Sequence, residues 1–118
     1  MFLFNKQFDF KEDKMEEFVR VARVEEVLEG KFTESKASEN PILLTSIGGK
    51  IYAIGALCSH LNLSMAKGII KRNVLTCPHH GSEFDITTGA NLKGPAKKPI
   101  QTYEVKIEGN NVFVKVVK

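Results

Sequence analysis

The residues of this chain best suited to chemistry lie in two short boxes that each combine cysteine with histidine. One box spans residues 58–62 and reads CSHLN, and the other spans residues 77–81 and reads CPHHG, with sixteen residues between His60 and Cys77. Thiolate and imidazole are both good ligands for zinc and for iron. Together the two boxes could therefore hold a tetrahedral metal ion or an iron–sulfur cluster.

The arrangement of the ligands separates these options only in part. Zinc motifs usually pair like ligands, whereas a mixed box that occurs twice is the pattern expected when each loop reaches two different metal atoms. A single cysteine or histidine is more often a buried or surface side chain than a ligand, but two such boxes in one short segment argue against that interpretation. Spacing alone permits either His79 or His80 as the histidine of the second box.

The second box is part of a longer string that resembles one protein family. Residues 77–85 read CPHHGSEFD, with Thr88-Gly89 shortly after, and the resemblance to Rieske-type ferredoxins extends from about Phe18 to Val117. It implies one [2Fe-2S] cluster, in which two cysteines hold one iron and two histidines hold the other. Carried over residue by residue, the metal ligands are Cys58, His60, Cys77 and His80.

The resemblance also implies which residues surround the cluster. These are Leu61 and Asn62 in the first box, His79 and Gly81 in the second, Ser82 and Phe84 just after it, and Pro95 in a proline loop that covers the cluster. High-potential relatives have a serine and a tyrosine that donate hydrogen bonds to the cluster. Here Ser82 matches the serine, but Phe84 replaces the tyrosine, so we expect a potential low to intermediate in the range of about −150 to +300 mV.

The Rieske proteins of respiratory and photosynthetic complexes also join their two ligand loops with a disulfide. The corresponding positions of this chain are Leu63 and His79, and both cysteines are consumed as ligands. The loops must therefore hold together without that bond.

The elements that position the boxes are predicted to be β-strands. Apolar runs flank a Gly-Gly turn over residues 42–54, and alternating runs flank a second glycine turn over residues 103–116, so both predict antiparallel hairpins. Between them, only residues 73–76 predict a strand. The resemblance implies an all-β Rieske fold: an antiparallel β-sandwich or barrel base with an inserted, loop-rich cluster-binding subdomain at about residues 55–100.

Length and composition set wider bounds. With 118 residues, 42% of them hydrophobic and 26% charged, the chain predicts one globular domain at residues 18–118 after a Phe-rich lead-in segment at residues 1–17. No apolar run is long enough to cross a bilayer, so we expect a cytoplasmic protein without a membrane partner. A nucleic-acid partner is not expected either, because neither a recognition helix nor an aromatic stacking motif is present.

The function implied by the resemblance is electron transfer rather than catalysis. A mononuclear iron oxygenase would need two more histidines and a carboxylate, and only His79 remains. We therefore expect a one-electron carrier between a ferredoxin reductase and a terminal oxygenase or other redox enzyme. The alternative is a small Rieske subunit of a reductase complex, with or without a cluster, that has a structural or interaction role.

Charge gives one further hypothesis about the partner. Six basic residues accompany only two acidic ones, Glu83 and Asp85, in the segment around the boxes; they are Lys67, Lys71, Arg72, Lys93, Lys97 and Lys98. This face could dock an acidic patch on a redox partner, or the lysines could simply point away from the cluster.

Overall fold

The computed structural model describes residues 16–117, and their regular structure is almost entirely β-strand. A 3₁₀ turn at Val24–Glu26 is the one helical element in this range. The all-β fold expected from the sequence is confirmed. No helix of the described residues has the length and apolar character to span a membrane. The predicted lead-in segment lies outside the described residues except for Glu16 and Glu17, which belong to the first strand.

Eleven strands form three antiparallel sheets. The base sheet, in the order β1-β11-β10, consists of β1 (Glu16–Arg23), β11 (Asn111–Val117) and β10 (Val105–Glu108). The middle sheet, in the order β2-β3-β4-β9, consists of β2 (Thr33–Ala37), β3 (Asn40–Ile47), β4 (Lys50–Gly55) and β9 (Thr102–Tyr103). The loop-bearing sheet, in the order β5-β6-β7-β8, consists of β5 (Ile69–Lys71), β6 (Val74–Thr76), β7 (Glu83–Asp85) and β8 (Asn91–Lys93).

The middle sheet contributes to both hydrophobic cores of the molecule. Successive side chains of a strand point to opposite faces, so Ile42 and Leu44 of β3 share one core with Val114 of the base sheet. Leu43, between them, shares the other core with Phe84 of the loop-bearing sheet. All five of these side chains are fully buried. The base and the loop-bearing sheet are therefore held in place through a common strand.

The predicted Gly-Gly hairpin is confirmed as β3 and β4. Gly48 and Gly49 form its two-residue turn, with φ values of 61° and 84° that favour glycine. The carboxylate of Glu29 accepts hydrogen bonds from both glycine amides and from the Ser46 hydroxyl. These bonds, led by that of the Gly48 amide, hold the pKa of Glu29 below its usual 4.5. The turn is thus fixed by a distant acidic residue as well as by its own glycines.

The prediction of a single strand in the middle of the chain underestimated the number of strands there. Besides β6, which covers most of the predicted segment, three more strands of three residues each are present there, so the inserted region is a four-stranded sheet. A run of three residues is too short to display the alternation that identifies a strand in sequence. The loops gather at the ends of this sheet.

Asp85 organises the turn that joins β7 to β8. Its carboxylate accepts hydrogen bonds from the Thr87 amide and hydroxyl at 2.8 and 2.6 Å and from the Asn73 side chain at 3.2 Å. The Thr87 hydroxyl is the main reason why the pKa of Asp85 lies below its usual 3.8. The backbone of Gly89 donates to the Asp85 carbonyl at 2.7 Å. Asp85, the last residue of the string at residues 77–85, and the Thr88-Gly89 pair that follows it therefore belong to one hydrogen-bonded turn.

Candidate metal centre

Both cysteine–histidine boxes lie at one end of the loop-bearing sheet. Three loops meet there, and we name them loop 1 (residues 57–66), loop 2 (residues 77–82) and the proline loop (residues 94–99). Thr76, which directly precedes Cys77, pairs with Ile69 on one side and with Glu83 on the other, and Glu83 pairs with Lys93. These pairings bring the end of loop 1, both ends of loop 2 and the start of the proline loop to the same edge.

Loops 1 and 2 close around their cysteines in the same way. In each, the cysteine amide donates to the carbonyl five residues later, at 2.8 Å in both loops. The cysteine carbonyl accepts from the amide four residues later, which is Asn62 at 2.8 Å for Cys58 and Gly81 at 3.1 Å for Cys77. Both backbone groups of each cysteine are therefore used within its own loop, and this fixes the direction of the side chain.

The residue four positions after each cysteine has a left-handed backbone. Its φ is 57° at Asn62 and 80° at Gly81. Glycine adopts this conformation without cost, and asparagine tolerates it better than most other residues. Asn62 in the first box and Gly81 in the second therefore provide the same left-handed backbone conformation at the same position of the loop.

The two cysteines are buried at the centre of the three loops. Each is 3% exposed, and neither is part of a disulfide. Burial raises the pKa of the Cys58 thiol, and the neighbouring Cys77 thiol adds to this, while the backbone amides of His60 and Leu61 act in the opposite direction. The amides that lower the pKa do so by donating hydrogen bonds toward the sulfur, which also favours a bound thiolate.

His60 and His80 lie on the surface above the cysteines. Both are exposed, and their ring centroids are 5.4 Å apart with the planes at 88°. Within residues 16–117, no three Cys, His, Asp or Glu side chains are grouped as a single metal ion would require. A two-iron cluster needs only two protein ligands at each iron. The donor set, two buried thiols below two exposed imidazoles, fits such a cluster.

His79 contacts the backbone of loop 1. Its Nε2 lies 2.9 Å from the backbone carbonyl oxygen of Ser64. The side chain is exposed, and its nearest polar partner is therefore a loop backbone rather than another candidate ligand. This geometry distinguishes His79 from His80, which the spacing could not do.

Ser82 and Phe84, which follow the second box, are fully buried. The Ser82 hydroxyl oxygen accepts a hydrogen bond of 2.9 Å from the amide of Ala96 in the proline loop. Its proton remains available to donate, because a hydroxyl group can accept and donate at the same time. Phe84 packs in the same hydrophobic core as Cys58 and Cys77 and has no polar group to offer.

Leu61 and Pro95 are on the outside of the site. Leu61, 53% exposed, is next to His60, and Pro95 is exposed after a cis peptide bond with Gly94. The proline loop is attached to loop 1 by the Ser59 hydroxyl, which donates to the Lys98 carbonyl at 2.6 Å. The rim of the site thus contains an apolar side chain beside the imidazoles.

Three residues at the site were not predicted from the sequence: Ser59, Ser64 and Ala96. Ser64 and Ala96 take part through backbone groups, for which residue type carries no signal. Ser59 could have been found, because a small hydroxyl residue between two ligands is suited to anchoring a loop.

Comparisons with known proteins decide what this donor set belongs to. The family model described as "Rieske [2Fe-2S] domain" matches residues 17–104. The chain belongs to the Rieske [2Fe-2S] domain family. The bound group of this Rieske chain is accordingly one [2Fe-2S] cluster, as expected, and not a structural zinc ion.

Relatives of this Rieske chain are named as ferredoxins. It is 34% identical over 99 residues to the ferredoxin component of naphthalene 1,2-dioxygenase/salicylate 5-hydroxylase systems of a Ralstonia species, covering 84% of this chain and 95% of the relative. It is 40% identical over 74 residues to the 3-phenylpropionate/cinnamic acid dioxygenase ferredoxin subunit of Escherichia coli strain K12, covering 62% and 70%.

A solved structure supports the same description. The ferredoxin of carbazole 1,9a-dioxygenase from Nocardioides aromaticivorans IC177 matches with a TM-score of 0.78 at 29% identity, over 82% of this chain and 95% of that one. The chain is therefore an electron carrier and not itself an enzyme, as the sequence predicted.

The shared left-handed position of the two loops gives a test. Among the described residues, no protein atom beyond the chain neighbours of Gly81 lies within 4 Å of a Cβ built there, so from the protein side only the backbone conformation opposes a side chain. We expect Gly81→Ala to cost about 1–2 kcal/mol of stability, and Gly81→Asn clearly less, because asparagine already occupies this position in loop 1. Thermal unfolding midpoints and iron content per chain measure both. Equal losses for alanine and asparagine would contradict the equivalence of the loops.

Proposed function

We propose that Cys58 and Cys77 hold one iron of the cluster, that His60 and His80 hold the other, and that the chain transfers single electrons from a ferredoxin reductase to a terminal oxygenase or another redox enzyme. The observation that carries this proposal is the meeting of two buried thiols and two exposed imidazoles at one end of the loop-bearing sheet. The names of the relatives, which are ferredoxins of dioxygenase systems, support the choice of partners.

The burial of the cysteines and the exposure of the histidines indicate on which side of the site an electron is exchanged with a partner. The bound group supplies a one-electron redox couple. Thiolates stabilise ferric iron, whereas an iron held by neutral imidazoles would be less electron-rich, so the reduced group would hold its electron on the histidine side. His60 and His80 are the exposed ligands, and they therefore bring that electron to the surface where a partner can accept it.

The surroundings of the thiols set the potential. The Ser82 hydroxyl is one available donor beside Cys77, while Phe84 removes the second donor that a tyrosine would supply. Hydrogen bonds to cluster sulfurs raise the potential, so one donor instead of two lowers it. We infer a low to intermediate potential within the Rieske range.

The alternative of a structural subunit without a cluster is not favoured, because all four candidate ligands are present and brought together. We further infer one Rieske domain at residues 18–118, extended at its start by Glu16 and Glu17 of β1, with its cluster-binding part at about residues 55–100. We also propose a cytoplasmic location; the chain has no cysteine besides the two candidate ligands, which agrees with a reducing compartment where disulfides are rare.

Histidine variants test the ligand assignment. We expect the purified, reduced protein to give a Rieske-type electron paramagnetic resonance signal. His80→Cys should shift or abolish this signal, since it replaces an iron ligand, whereas His79→Ala should keep it. Iron and acid-labile sulfide are measured in each preparation to separate loss of signal from loss of cluster. The reverse result, a signal lost in His79→Ala and retained in His80→Cys, would overturn the assignment.

The charges around the ligands suggest how a partner is recognised. Four exposed lysines lie on the segments that meet at the ligand end, namely Lys67, Lys93, Lys97 and Lys98. The other two basic residues of the segment, Lys71 and Arg72, are at the β5–β6 turn at the opposite end of that hairpin, because Lys71 pairs with Val74. We propose that the ligand end docks an acidic surface through this lysine set.

Small redox reagents test the field at the ligand end without knowledge of the partner. Oxidation of the reduced protein by anionic hexacyanoferrate(III) should slow as ionic strength rises, and oxidation by cationic tris(phenanthroline)cobalt(III) should accelerate. We expect the double variant Lys97→Glu/Lys98→Glu to lower the hexacyanoferrate(III) rate at low salt by about tenfold in stopped-flow measurements.

The matched control is Lys71→Glu/Arg72→Glu. It changes the net charge of the chain by the same amount but at the distant turn, and its rates should stay close to those of the wild type. Equal effects of the two double variants would show that net charge, and not the lysine set, governs the reaction.

A further inference from the structure

We propose that His79 is a latch that holds loop 1 against loop 2, and that it does so at a position where disulfide-containing Rieske proteins have a covalent link. The inference rests on the proposed cluster at these loops but concerns a residue outside the ligand set. It makes His79 a positioning residue.

The hydrogen bond between His79 and Ser64 has a defined direction. His79 Nε2 is 2.9 Å from the Ser64 backbone oxygen, and a carbonyl oxygen can only accept. The imidazole therefore carries its proton on Nε2 and donates it across the gap between the loops. A neutral ring is sufficient for this bond.

The His79 bond is made to a compact, internally hydrogen-bonded part of loop 1. Ser64 forms a bridge with Leu57, and on either side of that bridge the Cys58 amide donates to the Leu63 carbonyl and the Met65 amide to the Ala56 carbonyl, each at 2.8 Å. The two limbs of loop 1 are thus bonded to each other as a small unit. Because Cys58 is part of this unit, a bond to Ser64 restrains the ligand as well.

Few direct links join the three loops. Within residues 16–117, the His79 bond is the one hydrogen bond from a side chain to the backbone that joins loop 1 directly to loop 2. The other direct contacts between these loops are among the candidate ligands themselves, the Cys58 and Cys77 thiols and the His60 and His80 rings. The other two side-chain links both involve the proline loop: Ser59 attaches it to loop 1 and Ser82 attaches it to loop 2. Apart from the candidate ligands, each pair of loops is therefore joined by one such bond, and removal of His79 leaves loops 1 and 2 linked directly only through the ligands.

A disulfide cannot take the place of this hydrogen bond. Both cysteines of the chain are unpaired and lie among the candidate ligands, so a disulfide between the loops is not possible. At Leu63 and His79, where the covalent link would be, the chain has an apolar side chain and a hydrogen-bond donor. The donor reaches the residue next to Leu63 instead.

Two variants of the full-length, cluster-containing protein test the latch. His79→Ala removes the donor. His79→Gln retains a side-chain N–H at a comparable reach and should rescue the bond. We expect an iron chelator to bleach the visible absorption of His79→Ala about three- to tenfold faster than that of the wild type, as the loss of one partly exposed hydrogen bond predicts. His79→Gln should be within about twofold of the wild type.

Hydrogen exchange shows whether the effect is local. In His79→Ala, amide exchange should accelerate in loop 1, at Cys58 and Asn62, and remain unchanged in β3 and β4. Equal bleaching and exchange rates for His79→Ala and the wild type would overturn the latch, and so would a His79→Gln variant as impaired as His79→Ala. The exchange comparison does not depend on which residues bind iron, so a wrong ligand assignment and a wrong latch give different results.

Discussion

The structure depends on one repeated interaction, the closure of each ligand loop onto its own cysteine by two backbone hydrogen bonds. Because the amide and the carbonyl of Cys58 and Cys77 are both occupied within their loops, neither cysteine can rotate without breaking the loop. The cost of the arrangement is one left-handed residue per loop, at Asn62 and Gly81. Once the thiols are fixed at the buried centre, the histidines that follow them are placed on the surface, and the polarity of the site, sulfur inside and nitrogen outside, follows from the loop geometry.

The sheets serve to bring these two loops to the same edge. The middle sheet is packed on both faces, with Leu44 in the core shared with the base and Leu43 in the core shared with the loop-bearing sheet. The short strands β5 to β8 are too small to be stable as an isolated sheet, and they rely on this packing. Three hydrogen bonds then join the loops: His79 and Ser59 donate to backbone carbonyls, and Ser82 accepts from the Ala96 amide. Without a disulfide, the site keeps its shape through many weak bonds of known direction.

The sequence predicted the long, locally coded features and missed those that depend on tertiary context. The hairpin around Gly48-Gly49 was predicted because turn residues and apolar runs coincide over many positions. The stabilising carboxylate of Glu29 was not, since nothing in the sequence links it to a turn almost twenty residues away. The resemblance named His80 as a ligand, but the role of His79 required its distance to a backbone oxygen. The mixed cysteine–histidine pattern predicted a metal centre. The three-residue strands that support it were too short to show any periodicity.

We propose that two histidine nitrogens and two cysteine sulfurs hold one two-iron cluster in this chain. The most direct measurement is electron–nuclear double resonance on the reduced protein, produced with ¹⁵N-labelled histidine. We expect two strongly coupled histidine nitrogens, both bound to the iron that carries the electron. Observation of no coupled histidine nitrogen, or of only one, would contradict it.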